Sequence, residues 1–460
     1  MRYDKKHNSG SYIQGGILMV KPAIVDNVIR TRTKLRRDTL ISVLEEFDEK
    51  LMELDREKRA EKYRKMMQTP FSFFRGSAYL FYYDATRHYF PYHTSVEQPT
   101  WIQGDLHFEN FGAFCDESGQ IVYDVNDFDE GYIGSYLYDV LRMSASIALV
   151  CRQLGYDQER QLAMLEHYAL AYYKQIRRYA KHKADPGKFV MDKQHAKGLI
   201  RKLLRKLEKR QQGHFLEKVT AVMQTDRVFL ENSELVVPTP EEQQQLEGAW
   251  PMYLSTLRSS MEETGYYRIK DVAIKHGSGT ASIGLDRYYV LIEGGQSQRG
   301  EDDIVLEVKE VRVPVPAYFL PYADVFWDSF DQQGKRVTAT QQAMHHKADP
   351  YLGYLTLEDR DFYVRERSPY KKRLKLEQIR DTEDMADILS AMACLTAKMH
   401  ARADADVEQG VLAYHSEYAI YEAMGNSPEG FVKHISRWAF GYANQVEQDY
   451  QLFCEWAESL

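Results

Sequence analysis

The spacing of hydrophobic residues predicts several long helices. Between Val25 and Met67, hydrophobic residues recur every three or four positions among many charged ones, which predicts a surface helix or a pair of helices. The same spacing from Val140 to Leu207 predicts a helical region that is interrupted near Asp185-Pro-Gly187. Helical spacing returns over Met385 to His400 and Phe431 to Phe453. Helices are therefore expected on both sides of the central part of the chain.

Short β-branched and aromatic runs predict strands in that central part. The runs Val272-Ala-Ile, Tyr288-Tyr-Val-Leu-Ile and Ile304-Val-Leu-Glu-Val-Lys are separated by glycine-containing turns, which is typical of an antiparallel meander. A helix is predicted over Lys335 to His346, followed by a strand at Phe362-Tyr-Val-Arg. Together with the flanking helices, these strands predict an α+β fold.

Two further stretches are predicted to contain no helix. The aromatic runs Phe71-Ser-Phe-Phe-Arg-Gly and Tyr79-Leu-Phe-Tyr-Tyr suit a buried strand or a packed turn. Residues 226–257 contain three prolines among acidic and glutamine residues, which predicts an irregular connection.

Composition indicates a globular protein with a sizeable core. With 460 residues, of which 44% are hydrophobic, two or three domains or lobes are expected. The four cysteines are scattered without a C-x-x-C pair, so neither a zinc ribbon nor a disulfide framework is indicated, and a cytoplasmic location is expected. No run approaches the roughly 18 apolar residues of a membrane span, and the N-terminus lacks a signal-peptide core. We therefore expect no membrane partner.

Charge is distributed unevenly along the chain. The net charge is −8, whereas residues 174–218 contain 15 Lys and Arg but only 4 Asp and Glu. Ile200, Leu203 and Leu204 recur at helical spacing in this stretch, so an amphipathic helix with a solvated basic face is the favoured interpretation. A docking surface for an anionic substrate or nucleic acid is the alternative, because basic patches attract polyanions.

Two acidic loops give the strongest chemical signal. Asp105 and Asn110 lie in Gly-Asp-Leu-His-Phe-Glu-Asn, and Asp127 follows in Val-Asn-Asp-Phe-Asp-Glu. Phosphoryl transfer needs a carboxylate that orients the attacking hydroxyl and oxygen ligands that hold Mg²⁺. Asp105 is therefore predicted as the catalytic base, and Asn110 and Asp127 as magnesium ligands. Asp129 is a candidate assistant ligand; Asp124 competes with Asp127 for its role, but the downstream spacing favours Asp127.

A glycine-rich segment is the candidate for binding the phosphates of ATP. Glycines allow close backbone approach and positive φ, so successive N–H groups can face phosphate oxygens. The segment alone is weak evidence, but Lys309 follows on a predicted strand, where it would pair with the α- and β-phosphates. The alternative to phosphate binding is a lysine that extends from a strand edge into solvent. This alternative is favoured more for Lys275 than for Lys309. The predicted nucleotide-binding residues are Gly277, Ser278, Gly279, Ser282, Gly284 and Lys309.

Other residues are candidates for supporting roles. Arg75 would reach a phosphate or a carboxylate in the site, or it would close an internal ion pair instead. The helix predicted after Lys309 has no glutamate to orient that lysine. Gln341, Gln342 or Glu310 would have to substitute.

The acidic loops resemble those of aminoglycoside and choline phosphotransferases. In that pattern, a metal-binding aspartate is followed by a glycine and then by a helix that starts Tyr-Asp-Leu, which Asp127, Gly134 and Asp139 match. The resemblance implies that Asp139 is structural and that His107 is the second histidine of His-Gly-Asp-x-His. Gln103 replaces the first histidine, which weakens the expected brace of the backbone.

From Phe71 to Phe453 the chain also resembles the bacterial family catalogued as domain of unknown function 2252. The segments that carry this resemblance include Phe74-Arg-Gly, Gly104-Asp-Leu-His, Asn126-Asp-Phe-Asp-Glu, Ser282-Ile-Gly-Leu, Lys309-Glu, Asp349-Pro-Tyr-Leu-Gly, Phe362-Tyr-Val-Arg and Ala397-Lys-Met-His-Ala-Arg. That family implies no activity, so function is inferred from the site.

The order of the motifs predicts a two-lobed protein kinase-like fold that is circularly permuted, because the glycine-rich segment follows the catalytic loop. We expect an N-terminal helical extension (1–69), a helical lobe with the catalytic and metal loops (70–262), a strand-rich nucleotide-binding lobe (263–372) and C-terminal helices that complete the helical lobe (373–460). In this arrangement Lys309 must lie close to Asp127.

The predicted function is that of an ATP- and Mg²⁺-dependent phosphotransferase acting on an unidentified hydroxyl of a small molecule or protein. A nucleotide-binding pseudokinase and an adenylyltransferase on the same fold are the alternatives. A metal hydrolase would use His88, His93 and His107, but these lack the i, i+4 pair of a helical zinc site.

Overall fold

The computed structural model describes residues 12–116, 118–209, 213–223, 226–257, 267–277, 279–294, 302–345, 347, 349–368, 370–407 and 411–460. The fold mixes helices and antiparallel sheets, as expected of the α+β class. The α-helices are α1 (Tyr12–Glu45), α2 (Arg56–Met66), α3 (Pro70–Gly76), α4 (Ala78–Ala85), α5 (Leu137–Gln153), α6 (Gln158–Ala180), α7 (Gly198–Leu207), α8 (Gly213–Val219), α9 (Pro240–Ser255), α10 (Asp324–Ser329), α11 (Gln333–Met344), α12 (Thr382–Arg402), α13 (Ser416–Met424) and α14 (Pro428–Ala457). The strands are β1 (Thr100–Ile102), β2 (Phe111–Cys115), β3 (Ile121–Val125), β4 (Tyr132–Gly134), β5 (Thr220–Met223), β6 (Asp226–Phe229), β7 (Leu235–Val236), β8 (Ile269–Lys275), β9 (Arg287–Ile292), β10 (Ile304–Val311), β11 (Gly353–Leu357) and β12 (Arg360–Glu366).

Most of the predicted elements are confirmed. Strands β8, β9 and β10 contain the three predicted runs, and β12 contains the strand predicted at Phe362. Helices α1 and α2, joined through a π-helical turn at Glu46–Leu51, account for the pattern between Val25 and Met67. Helices α6, α7, α11, α12 and α14 also lie where helical spacing predicts them.

The aromatic stretch after Thr69 forms helices α3 and α4, so the predicted strand or packed turn is wrong. The Thr69 hydroxyl accepts a hydrogen bond from the Ser72 N–H at 3.0 Å, and Pro70 occupies the first helical turn, where its missing N–H would have no helical partner. The aromatic rings are buried against neighbouring helices instead of a strand.

The irregular connection predicted over residues 226–257 is also wrong, because this segment contains β6, β7 and α9. A capping box starts α9: the Thr239 hydroxyl accepts the Glu242 N–H at 3.3 Å, and the Glu242 carboxylate accepts the Thr239 N–H at 2.8 Å. Strand β7 pairs with β8, so the sheet already begins before residue 263.

The principal sheet has six antiparallel strands in the order β11-β12-β10-β9-β8-β7. Helix α9 packs Trp250 and Tyr253 on one face of this sheet, together with Val290 and Val308. Because side chains alternate along a strand, Glu307 and Lys309 of β10 point to the opposite face. That face approaches the acidic loops.

The helical part is built around α5, α6, α12 and α14. These helices share one large apolar core, in which α12 lies along α6 and α14 packs against both α5 and α6. Among the described residues, no helix combines the length and the apolar character that a membrane span requires.

Two small antiparallel sheets hold the acidic loops side by side. Strand β1 pairs with β4 through Ile102 and Tyr132, and β2 pairs with β3 through Phe111 and Val125. Residues 103–110 and 126–131 are thus fixed at both of their ends. The two small sheets therefore bring the loops 103–110 and 126–131 into contact, although the β2–β3 hairpin separates them along the chain.

Candidate functional site

Asp105 lies in a buried loop directly after β1. Arg142 of α5 donates a hydrogen bond from Nε to the Asp105 carboxylate at 2.5 Å, and this arginine is fully buried. Burial raises the pKa of Asp105 above its ordinary value, although the Arg142 guanidinium opposes this effect. Asp105 is thus an oriented carboxylate with increased basicity, as a general base requires.

Gln103 connects the two acidic loops. Its side-chain oxygen accepts the Asp105 N–H at 2.9 Å, and its side-chain nitrogen donates to the Asp127 carbonyl. Asp139 in turn accepts the N–H groups of Gln103 and Gly104 at 2.6 and 3.0 Å. The glutamine therefore braces the loops itself, contrary to the expectation that its presence weakens the brace.

Asp139 has the structural position that the resemblance implies. Its carboxylate is completely buried and lies 3.1 Å from Nε2 of His400, whose Nδ1 lies 2.9 Å from the Tyr172 hydroxyl. His400 belongs to α12 and Tyr172 to α6, so these two helices support the Asp105 loop through Asp139.

Lys309 forms an ion pair with Asp129, 180 positions earlier in the chain. The partner of Lys309 is therefore Asp129, and neither Gln341, Gln342 nor Glu310 takes that place. Burial raises the pKa of Asp129, but the positive charges of Lys309 and Arg365 outweigh burial, so the pKa lies below its ordinary value. One carboxylate oxygen, Oδ1 of Asp129, is buried without a hydrogen-bond partner.

A cleft of about 950 Å³, part of it open to solvent, lies in front of these groups. Its acidic wall contains Asp105, Asp127, Asp129 and Glu130. Burial raises the pKa of Glu130 to about 7. Asp124 does not line the cleft, because it is paired with the buried Lys398 of α12. The choice of Asp127 over Asp124 thus agrees with the geometry.

Apolar residues also line the cleft and form what we call its apolar wall, part of which comes from the N-terminal segment. The Phe47 ring stacks on Tyr79 at 4.7 Å and meets Tyr318 edge-on at 5.5 Å. Leu51 and Met52 extend this wall, and the Met52 carbonyl accepts a hydrogen bond from Arg312 at 2.6 Å. Sequence reasoning missed this contribution, since Phe47 and Leu51 are only two members of a helical hydrophobic pattern.

Asn110 has a local bonding role. Its side-chain oxygen accepts the His107 N–H at 2.6 Å within a capping box, and Asn110 is absent from the residues that line the cleft. One lone pair of the predicted magnesium ligand is therefore already occupied, and its role as a ligand stays a prediction.

Arg75 and His107 lie beside the Asp105 loop. Arg75 lines the cleft, but its guanidinium pairs with Glu109 at 2.5 Å and contacts Nε2 of His107 at 3.2 Å. Burial and the neighbouring Arg75 lower the pKa of His107 well below its ordinary value, so this imidazole is neutral. The internal ion pair considered for Arg75 is present.

Among the described residues of the glycine-rich segment, Ser282 is the one that lines the cleft. Ser282 lines the cleft in a short 3-10 turn, whereas Gly277 and Gly279 are absent from its lining, and Ser278 lies outside the described residues. Gly284 has a φ of +89°, and a Cβ there would lie 2.4 Å from Cδ2 of Leu54. Gly284 is therefore required for packing on the N-terminal segment.

Glu310 points away from the cleft. Its carboxylate accepts the Asp286 N–H at 2.8 Å and lies 3.6 Å from both Arg312 and Arg360. Glu310 does not share the face of Lys309, since neighbouring residues on a strand face opposite ways, and its accessory role stays a prediction. Sequence reasoning instead missed Glu307, a buried carboxylate 2.6 Å from Arg365 on the face that carries Lys309.

Two alternative sites receive no support. Within the described part of the chain, His88, His93 and His107 do not form a group with metal-binding geometry. The basic stretch 174–218 includes α7, whose Ile200, Leu204 and Leu207 are buried, as expected for an amphipathic helix with a solvated basic face.

The model for the family of uncharacterized proteins conserved in bacteria, DUF2252, matches residues 54–456, and the chain therefore belongs to this family. No curated protein and no solved structure matches the chain. Family membership supplies no activity, so the site itself must carry any functional proposal.

Proposed function

We propose that this member of the DUF2252 family is a Mg²⁺-dependent phosphotransferase that moves the terminal phosphoryl group of ATP to a hydroxyl acceptor. The observation that carries the proposal is that Asp105, Asp127 and Asp129 line one cleft, with Lys309 paired to Asp129. Phosphoryl transfer uses just such a set of carboxylates and one lysine.

The acidic wall fits a magnesium ion. Carboxylate oxygens are the ligands that Mg²⁺ prefers, and Asp127 and Asp129 both present them to the cleft. The unpartnered Oδ1 of Asp129 supports this assignment, because a buried charged oxygen without a partner is costly. We therefore propose Asp127 and Asp129 as the principal ligands. A bound Mg²⁺ would neutralise the negative charge of the phosphates.

Asp105 is proposed to position the acceptor. Its carboxylate would accept the hydroxyl proton while the oxygen–phosphorus bond forms and ADP leaves. Arg142 restrains the carboxylate in one orientation, and Gln103 sets its backbone relative to Asp127. Lys309 would exchange Asp129 for the phosphates of the nucleotide, since its ammonium already lies at the edge of the acidic wall.

The experiment compares the full chain with two isosteric variants, Asp105→Asn and Asp127→Asn. Nucleotide binding is measured by thermal shift with ATP and Mg²⁺, and turnover by release of ADP with a panel of hydroxyl compounds. Asp105→Asn should lower turnover by about 10²- to 10⁴-fold and keep the thermal shift. Asp127→Asn should weaken both. Asp359→Asn, in the exposed turn between β11 and β12, is the matched control.

The possible results separate the alternatives. Absence of any shift with ATP or GTP, in Mg²⁺ or Mn²⁺, would rule out a nucleotide-dependent enzyme. A shift without turnover would support the pseudokinase. Release of pyrophosphate together with formation of an adenylylated acceptor would identify an adenylyltransferase.

A further inference from the structure

A second cluster of ligand-type side chains lies at the junction of α12 and α13, outside the cleft. Asp404 follows the end of α12, His415 precedes the first residue of α13, and Glu417 lies in the first turn of that helix. One ligand atom from each of the three residues lies within 4.8 Å of the others. Among the described residues, this is the group in which three His, Cys, Asp or Glu side chains bring their ligand atoms this close together.

The cluster contains two buried carboxylates, of which Asp404 accepts the N–H groups of Asp406 and Ser416 while Glu417 is incompletely satisfied. Asp404 is 2% exposed and Glu417 is 7% exposed. Oε2 of Glu417 is buried without a hydrogen-bond partner. The imidazole Nδ1 of His415 lies 3.3 Å from Asp404, while its side chain is partly open to solvent. Two buried carboxylates beside one accessible imidazole leave a compensating positive charge missing.

We propose that Asp404, His415 and Glu417 bind a divalent first-row transition metal ion, with Zn²⁺ or Mn²⁺ as the matching chemistry. Carboxylate oxygens and an imidazole nitrogen are the donor set of such ions. The histidine disfavours Mg²⁺ and Ca²⁺, which prefer oxygen ligands only. The partly exposed His415 leaves a path by which the ion and a water ligand reach the site.

The site would have a structural role that is independent of the cleft. It joins the chain on both sides of residues 405–414, and so fixes the C-terminal end of α12 to α13. His400, which supports Asp139, lies in the last turn of α12. Binding of the ion is therefore expected to raise the thermal stability of the whole helical part.

The test uses the full chain after removal of metal with a chelator. Zn²⁺, Mn²⁺, Mg²⁺ and Ca²⁺ are titrated separately, with bound metal measured by mass spectrometry after dialysis and stability by thermal shift. One Zn²⁺ or Mn²⁺ per chain and a higher Tm are expected. Glu417→Gln and His415→Asn should each lower the affinity by at least about 10-fold.

Two further variants make the result specific. His195→Asn removes an imidazole whose Nδ1 lies 2.7 Å from Asp192 but which has no third ligand, and it should retain full binding. Asp127→Asn should also retain it, which distinguishes this site from the proposed magnesium site. No saturable binding of Zn²⁺ or Mn²⁺ to the wild-type chain, or unchanged binding in both Glu417→Gln and His415→Asn, would overturn the proposal.

Discussion

Gln103 illustrates how one residue can hold two distant loop segments in register. Its amide reaches a donor in the Asp105 loop and an acceptor in the Asp127 loop at the same time. The sequence identified both loops, because acidic residues at fixed spacing are visible in one dimension. The bracing role of Gln103 could not be predicted from the sequence, because it depends on where the Asp105 N–H and the Asp127 carbonyl lie in space.

Gln103→Ala should separate these loops. The variant leaves the buried Asp105 N–H and the Asp127 carbonyl without partners, which should cost about 1–3 kcal/mol in the free energy of unfolding. Chemical denaturation measures the loss. Gln98→Ala, at an exposed position of the preceding loop, should be nearly neutral. Equal stability of the two variants would contradict the bracing role.

The raised pKa of Asp105 predicts the pH dependence of turnover. The carboxylate must be ionised to accept a proton, and burial moves its pKa above the ordinary value. Turnover should therefore decline as the pH falls through this raised pKa, at a pH where an exposed aspartate would still be ionised. The measurement is kcat/KM against pH, with near-ultraviolet circular dichroism to confirm that the fold persists. A rate that stays constant down to the ordinary pKa of aspartate would argue against Asp105 as the base.

At the scale of elements, hydrophobic periodicity predicted the strands of the central sheet and the long helices correctly. The residues that cap helices were given too little weight. The aromatic run after Thr69 begins as helix α3 because a threonine cap and Pro70 start it, although the same rings suit strands by propensity. Helix α9 was missed for a similar reason: its capping box outweighs Pro251, which sits inside the helix. The packing of Leu54 against Gly284 could not be predicted, because no pattern of residues along the chain indicates it.

Gly284→Ala should disturb the contact between the glycine-rich segment and the N-terminal helices. The positive φ and the approach of Leu54 should together cost about 1–3 kcal/mol in the free energy of unfolding. In a Leu54→Ala background the steric part should disappear, while the cost of the positive φ remains. Gly248→Ala, in open space within α9, should instead stabilise by about 0.5–1 kcal/mol. Additive effects of Gly284→Ala and Leu54→Ala would show that the contact carries no energy.

On the scale of the whole molecule, the permuted order of motifs led to one spatial expectation, that Lys309 lies near the acidic loops. The structure places Lys309 against Asp129, two residues from Asp127. The sequence could not distinguish these two aspartates, because either carboxylate can follow a strand end. The permuted kinase-like fold and the division at residues 69, 262 and 372 stay predictions, although β7 shows that the sheet draws on earlier residues.

The Lys309–Asp129 pair should couple the sheet to the helical part. Lys309→Met removes the ion-pair partner of the partly buried Asp129 and leaves only the charge of Arg365 nearby, which should cost about 1–3 kcal/mol in the free energy of unfolding. Adding Asp129→Asn should recover part of that loss, because the unpaired charge is then removed. A double-mutant cycle by denaturant unfolding measures the coupling. A coupling energy of zero would mean that the pair does not help to hold the two parts together.

The match to the family begins at residue 54, whereas Phe47, Leu51 and Met52 of the apolar wall lie before that point. These three side chains therefore lie outside the segment that the family model covers, whereas the acidic loops lie within it. A chain shortened to begin at residue 54 would keep Asp105 and Asp127 but lose this part of the cleft lining.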